Sequence, residues 1–197
     1  MFHKLQIFIL LAILPSLAYA EGNIFKEGDH CVAWKTSKKM FLLSNSTPIG
    51  MNCKASAEAK KVGADYKLYV TVPVAKFDSG EETRDEEVVL ILGGDKQPNI
   101  IIESEALSIK KITSLEKKDA TLQGSILING KKFGIPIKVK STINNGKLTY
   151  QGFLKTSFTA LGLEPPSVAG GVVAKVYDEL ELHFQFQEAK IIGHPNL

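Results

Sequence analysis

Two cysteines, four histidines, one arginine and a run of acids are the side chains whose types could do chemistry here. Cys31 and Cys53 could close a disulfide, stay as free thiols or help hold a metal. Zinc would need two further ligands. His3, His30, His183 and His194 show no ligand spacing, so no metal is expected. In an exported chain a cysteine pair reads as a disulfide. Closing a loop of this size would stabilise the fold by about 3 kcal/mol through the unfolded state. The acids Glu81, Glu82, Asp85, Glu86 and Glu87 could suggest calcium, but the spaced Asp/Asn ligands and the glycine of a calcium loop are missing. Charge at a helix N-terminus accounts for them better. Arg84, beside Asp85 and near Asp78, reads as a structural fork holding a turn by bidentate hydrogen bonds, with a ligand head group as the alternative. No Gly-x-Ser-x-Gly elbow, phosphate loop or His-Glu-x-x-His occurs. No catalytic residue is therefore expected, and an enzyme acting on a lipid head group would lack its nucleophile–base pair.

The elements that must carry these residues are mostly strands. Residues 31–34 alternate, and Met51 to Ala55 can return beside them. A hairpin centred near Leu42 would set Cys31 opposite Cys53. Tyr66, Leu68, Val70, Val72 and Val74 share one face of a long strand. Glu81 to Leu92 reads as a short helix, acidic at its start and stopped by Gly93-Gly94, with Val88, Leu90, Ile91 and Leu92 as its apolar flank. Ile100, Ile102 and Ser104 share a face, and Ala106 to Lys111 should continue extended. The clearest signal is Ala120–Ile128 with Phe133–Lys140, two alternating runs joined at Asn129-Gly130, a pair suited to a tight hairpin turn. Leu148–Phe158 and Val176–Phe186 complete the set. Between them lies a Pro/Gly-rich loop, Gly162–Gly171, placed to gate an opening.

The first twenty residues are of another kind. Lys4, an apolar run from Ile7 to Leu14 and a closing Ala18-Tyr19-Ala20 form a signal peptide, with cleavage expected after Ala20. An uncleaved anchor is the alternative, but the run is short for a bilayer of about 30 Å. The net charge of +3 is spread without a basic stripe, so no nucleic-acid partner is expected.

About eight amphipathic strands can close into a barrel or stack as a sandwich. Their inward faces collect Trp34, Leu68, Val70, Val72, Ile100, Ile102, Ile126, Ile128, Ile135, Ile137, Val139, Leu180, Leu182, Phe184 and Phe186. These residues form either a solid core or the walls of a slender tunnel.

The order of motifs resembles the YceI-like proteins. Phe77-Asp78-Ser79-Gly80 followed by Arg84-Asp85-Glu86-Glu87-Val88 is similar to that family's Asp-Thr-Gly…Arg-Asp-x-x-Val segment. Pro98 to Ser104 resembles its Pro-x-a-x-Phe-x-Ser strand, and Gly124 to Val139 its Gly-x-Leu-x-Ile-x-Gly hairpin. Leu161-Gly162-Leu163 stands where Phe-Gly-Ile is usual, and Val176 through Phe186 matches the closing Val-x-Asp-x-Val-x-Ile pattern. The chain departs from the family at its early His/Gly pattern, at Glu87 where a histidine is usual, and at Lys132-Phe133-Gly134. The resemblance implies an all-β fold, an antiparallel eight-stranded lipocalin-like barrel with one short helix, occupying 21–197 behind a signal peptide at 1–20. It implies a periplasmic lipid carrier without catalysis or cofactor. The ligand would be a polyisoprenoid, such as an isoprenoid quinone or polyprenyl tail, or a fatty-acyl chain. Trp34, Leu68, Val70, Val72, Ile100, Ile102, Ile126, Ile128, Ile135, Ile137, Val139, Leu182 and Phe184 would line the tunnel. Transient contact with a membrane or membrane protein would accompany that role, and monomer and dimer both remain open. A non-carrier interaction module with a solid core is the rival reading.

Overall fold

The computed structural model describes residues 24–40, 45–168 and 174–195. The expected signal peptide lies outside the described residues, as do 169–171 of the Pro/Gly-rich loop.

Alternation becomes strand along most of the chain: β1 (Cys31–Met40), β2 (Ile49–Asn52), β3 (Ser56–Val62), β4 (Asp65–Pro73), β5 (Asn99–Ser104), β6 (Ala120–Ile128), β7 (Lys131–Asn144), β8 (Lys147–Ser157), β9 (Ser167–Val168) and β10 (Ala174–Gln187). Two helices interrupt them, α1 (Glu82–Ile91) and α2 (Ile109–Leu115). The strands form one antiparallel sheet in the order β2-β1-β10-β8-β7-β6-β5-β4-β3, with β9 attached to β10 off this path. The sheet curls over a single large core, and its end strands β2 and β3 are joined by the short connection 53–55.

The all-β, antiparallel, barrel-like expectation holds, with two differences in count. Among the described residues there are ten strands where about eight were expected, and two helices where one was. One added strand, β3, is rich in small and charged residues (Ser-Ala-Glu-Ala-Lys-Lys-Val) and so shows little apolar alternation. The other, β9, is only two residues long. The second helix replaces the extended run expected over Ala106–Lys111. Ser108 caps it, its side chain accepting a hydrogen bond from the Lys111 backbone N–H at 3.2 Å. The cap satisfies a backbone donor that an extended chain would have offered to a neighbouring strand.

Local chemistry sets the register. The β6–β7 hairpin turns through Asn129 (φ 46°) and Gly130 (φ 72°), and this turn pairs Ile128 with Lys131 and Ile126 with Phe133. Register then places Leu122 opposite Ile137 and Ala120 opposite Val139, so the apolar rows of both strands face inward together. On the far side, Val32, Trp34 and Thr36 of β1 face Phe184, Leu182 and Leu180 of β10. Trp34 is also opposite Gly50 of β2, and a Cβ at Gly50 would overlap the indole ring. Only glycine leaves room for the ring there.

Cys31 and Cys53 form a disulfide, tying β1 to the residue that follows β2. Cys31 packs with Phe25 and Ala33 in a small cluster separate from the main core. Helix α1 lies over one end of the curled sheet. Val88, Val89, Ile91 and Leu92 pack against the core, whereas Leu90, expected on that flank, is 75% exposed. Leu90 shares a helix face with the exposed Thr83 and Glu86, seven and four residues before it, and that face points to water.

Candidate functional site

The inward rows do not fill the space they enclose. Two apolar cavities lie within the sheet, of about 160 and 130 Å³. Phe77, Ile100, Ile126 and Leu182 border both, so the two chambers share a wall. Apolar cavities of roughly this size stay dry and accept hydrocarbon.

The larger chamber is walled by β4 through Leu68, Val70 and Val72, and by β5 through Ile100 and Ile102. Ile126 of β6 continues the wall, followed by Ile135, Ile137 and Val139 of β7 and Leu182 and Phe184 of β10. The remaining residues expected to line a tunnel, Trp34 and Ile128, border the smaller chamber instead. The structure therefore sets every expected lining residue on the wall of one chamber or the other. Leu180 borders the smaller chamber and Phe186 the larger.

Other wall residues escaped the sequence reading. Leu107, Ile112 and Leu115 come from α2 and the residues before it; Leu107 lies in the Ala106–Lys111 run expected to be extended, and the other two lie beyond it. Their spacing over Ser108, Ile112 and Leu115 was the signal available: a cap followed by apolar residues at helical intervals. Tyr150 and Leu154 of β8 were read as strand without their inward face being assigned. Ile191, His194 and Pro195 arrive from the chain's last described turn, where no periodicity announces them. In the smaller chamber, Phe158 ends the run expected as strand, Leu161 closes the turn Thr159–Leu161, and Leu163 stands within the Pro/Gly-rich loop.

The two chambers differ in their polar fringe. At the C-terminal end of the larger one, the Tyr150 hydroxyl lies 3.4 Å from His194 Nε2, and His194 Nδ1 lies 3.4 Å from a Glu188 carboxylate oxygen. Burial pushes the Tyr150 hydroxyl up, with Glu116 and Glu188 adding to the effect, so it stays protonated and able to donate. The smaller chamber is bordered by Trp34, Thr36, Lys38, Arg84 and Glu87 among its apolar residues. Thr36 donates its hydroxyl hydrogen to the Glu179 carbonyl at 2.7 Å.

Side-chain hydrogen bonds from both directions hold the turn before α1. Asp85 accepts from the Ser79 N–H at 3.0 Å, and Asp78 accepts from the Gly80 N–H at 2.8 Å. Arg84 donates to the Ser79 carbonyl at 3.3 Å and pairs with Glu81. Its partners are thus a carbonyl and Glu81 rather than Asp78 or Asp85. Three residues back along a helix, Glu81 lies on the arginine's own side. No group of three or more His, Cys, Asp or Glu side chains able to hold a metal occurs among the described residues.

This curled sheet with helices over its apolar interior is the lipocalin-like fold of the YceI-like proteins. The chain is similar to a polyisoprenoid-binding domain from Saccharophagus degradans implicated in plant cell wall breakdown, at 10% identity and a TM-score of 0.60, over 78% of this chain and 91% of that one. It is similar to BcnA of Burkholderia cenocepacia at 19% identity and a TM-score of 0.58, over 79% and 94%. It is also similar to the YceI protein of Campylobacter jejuni at 16% identity and a TM-score of 0.57, over 76% and 88%. No protein-family model and no curated protein matches the sequence.

Proposed function

We propose that this protein is a YceI-like lipid-binding protein that holds a polyisoprenoid or fatty-acyl chain within its sheet, as a periplasmic carrier. One observation carries the reading: adjoining apolar chambers, bordered by side chains of β1, β4–β7 and β10, where a solid core would leave no space. Cores are normally packed to crystal density, so voids of this size forfeit contacts unless something fills them. Each buried methylene contributes about 0.8 kcal/mol. About fifteen buried carbons would contribute about 12 kcal/mol, and roughly 4 kcal/mol of ordering cost would leave micromolar affinity.

Export fits the same picture. A disulfide forms and persists in an oxidising compartment, and the first twenty residues have the make-up of a cleavable signal. The ligand is the hydrophobic chain itself, with no cofactor and no catalytic step. Loading and unloading would involve brief contact with a membrane or a membrane protein.

The test is native mass spectrometry of the protein taken from its own periplasm, followed by organic extraction. A bound mass that extracts as a prenyl or acyl lipid is the expected result. Val70 is 4% exposed and faces the larger chamber, so Val70→Trp should fill the space and abolish the adduct. A clean apo mass, with no uptake of added polyprenol or quinone, would overturn the proposal in favour of a module acting through protein partners.

A further inference from the structure

The two ends of the curled sheet differ in charge, and strand direction defines them. At one end β4 runs out, α1 follows and β5 begins. At the other, β3 turns into β4, β5 leads into α2, α2 feeds β6, and β7 turns into β8. The α1 segment, 74–98, carries seven acids and three bases. The segments at the α2 end, 60–65, 105–119, 140–147 and 188–195, carry nine lysines and five acids. Segment 24–30 beside them adds one lysine and two acids. Lys61, Lys110, Lys117, Lys118, Lys140 and Lys147 are exposed, and among the described residues none of these six has an ion-pair partner. Apolar tips stand between them. Ile143 continues the inward row of Ile135, Ile137 and Val139 beyond the end of the core and is 65% exposed. Ile109 opens α2 next to Lys110, and Val62 closes β3 next to Lys61; both are exposed. A lone exposed apolar residue needs no explanation, and lysines alone suit a solvated edge. Together on one rim they match a surface with fixed negative charge over hydrocarbon. The same rim surrounds one end of the larger chamber, which α2 covers through Ile112 and Leu115 and the last described turn through Ile191 and His194.

We propose that the α2 end docks on the surface of a bilayer rich in anionic phospholipid, with the lysines against phosphate groups and Val62, Ile109 and Ile143 dipping among the head groups. The proposal rests on the lipid-binding reading and adds the face through which the protein meets its membrane and the charge of that membrane. The same surface repels the acidic α1 segment, so the molecule approaches with its α2 end leading. In that pose a chain leaving the larger chamber past α2 has the bilayer directly ahead.

The test is flotation of the native protein with vesicles of phosphatidylcholine alone, or of equal parts phosphatidylcholine and phosphatidylglycerol. Binding is expected to the second kind only, and it should weaken steeply as salt is raised, because surface charges are screened. Each lysine near such a surface contributes roughly a fivefold gain in affinity. Lys110→Glu with Lys117→Glu and Lys118→Glu should therefore weaken binding by about a hundredfold or more. Lys76→Glu with Lys96→Glu and Lys131→Glu makes the same change in net charge at the α1 end, beyond the reach of the bilayer's field, and should weaken binding by less than about threefold. Ile143→Trp should emit further to the blue with the anionic vesicles, over the constant background of the buried Trp34. The salt dependence and this signal decide the matter if a triple variant does not fold. No flotation with anionic vesicles, equal binding to neutral ones, or equal loss from both triple variants would overturn the proposal. Native mass spectrometry of the same samples separates it from the lipid-binding reading. A retained lipid without flotation overturns the docking face alone, and flotation without any lipid overturns the carrier reading alone.

Discussion

Glu181, on the outer face of β10, gathers Lys35 at 2.9 Å, His183 at 3.1 Å and Lys155 at 3.2 Å. Burial alone would raise its carboxyl, but hydrogen bonds from Lys35, His183 and Lys155 bring it down to about 2 from an ordinary 4.5. The folded state therefore binds this proton less readily than the unfolded chain. Its stabilising contribution is complete above pH 4.5 and is lost as pH falls from there toward 2. Urea midpoints measured across that window should fall in the native protein. In Glu181→Gln the fall should be shallower, while the variant is less stable than the native protein at neutral pH. The sequence showed Glu181 only as one of the polar residues alternating with Leu180 and Leu182. Its partners come from β1 and β8, about 146 and 26 residues away in the chain, and no local pattern announces such a meeting.

Helix α2 shows where legibility stopped at the scale of elements. Long alternating runs, such as those of β6 and β10, were readable because burial on one face repeats many times. Seven residues give barely two turns, too few for a period to stand out, so the capping serine was the stronger clue. Strand β3 was obscured by composition: its inward residues are Ala57 and Ala59, and its last residues are Lys60, Lys61 and Val62, which suit an exposed edge. The turn residues, by contrast, were legible because Asn-Gly chemistry is local. Ser108→Ala should destabilise the protein by about 1 kcal/mol, read by thermal or urea unfolding. Because Ile112 and Leu115 of the same helix wall the larger chamber, the variant should also release bound lipid faster. Native mass spectrometry after timed dilution would measure that loss.

At the scale of the molecule, the disulfide closes a span of 22 residues that holds β1 and β2 together. Reduction, or the pair Cys31→Ser with Cys53→Ser, should lower stability by about 3 kcal/mol. Unfolding with and without reductant checks this, and an unchanged midpoint would mean that the bond does not form in solution. The cavity itself was only half visible in the sequence. Alternation identified which residues face inward, and all of those expected to line a tunnel do border a chamber. Whether inward faces meet or stand apart depends on the curl of the sheet and on the helices over its ends, and neither is written in any single strand.

The place of β1 in the sheet has a consequence for the timing of synthesis. Its long neighbour is β10, so residues near the beginning of the described chain wait for residues 174–187 before their ladder can form. At ribosomal speeds of about 5–20 residues per second, the gap between these strands corresponds to roughly 7 to 30 seconds. Throughout that interval the inward face of β1 has no long partner, and the sheet cannot finish curling. Pairing of β1 with β10 is thus among the last steps of folding, after β3 to β8 have met their neighbours in sequence.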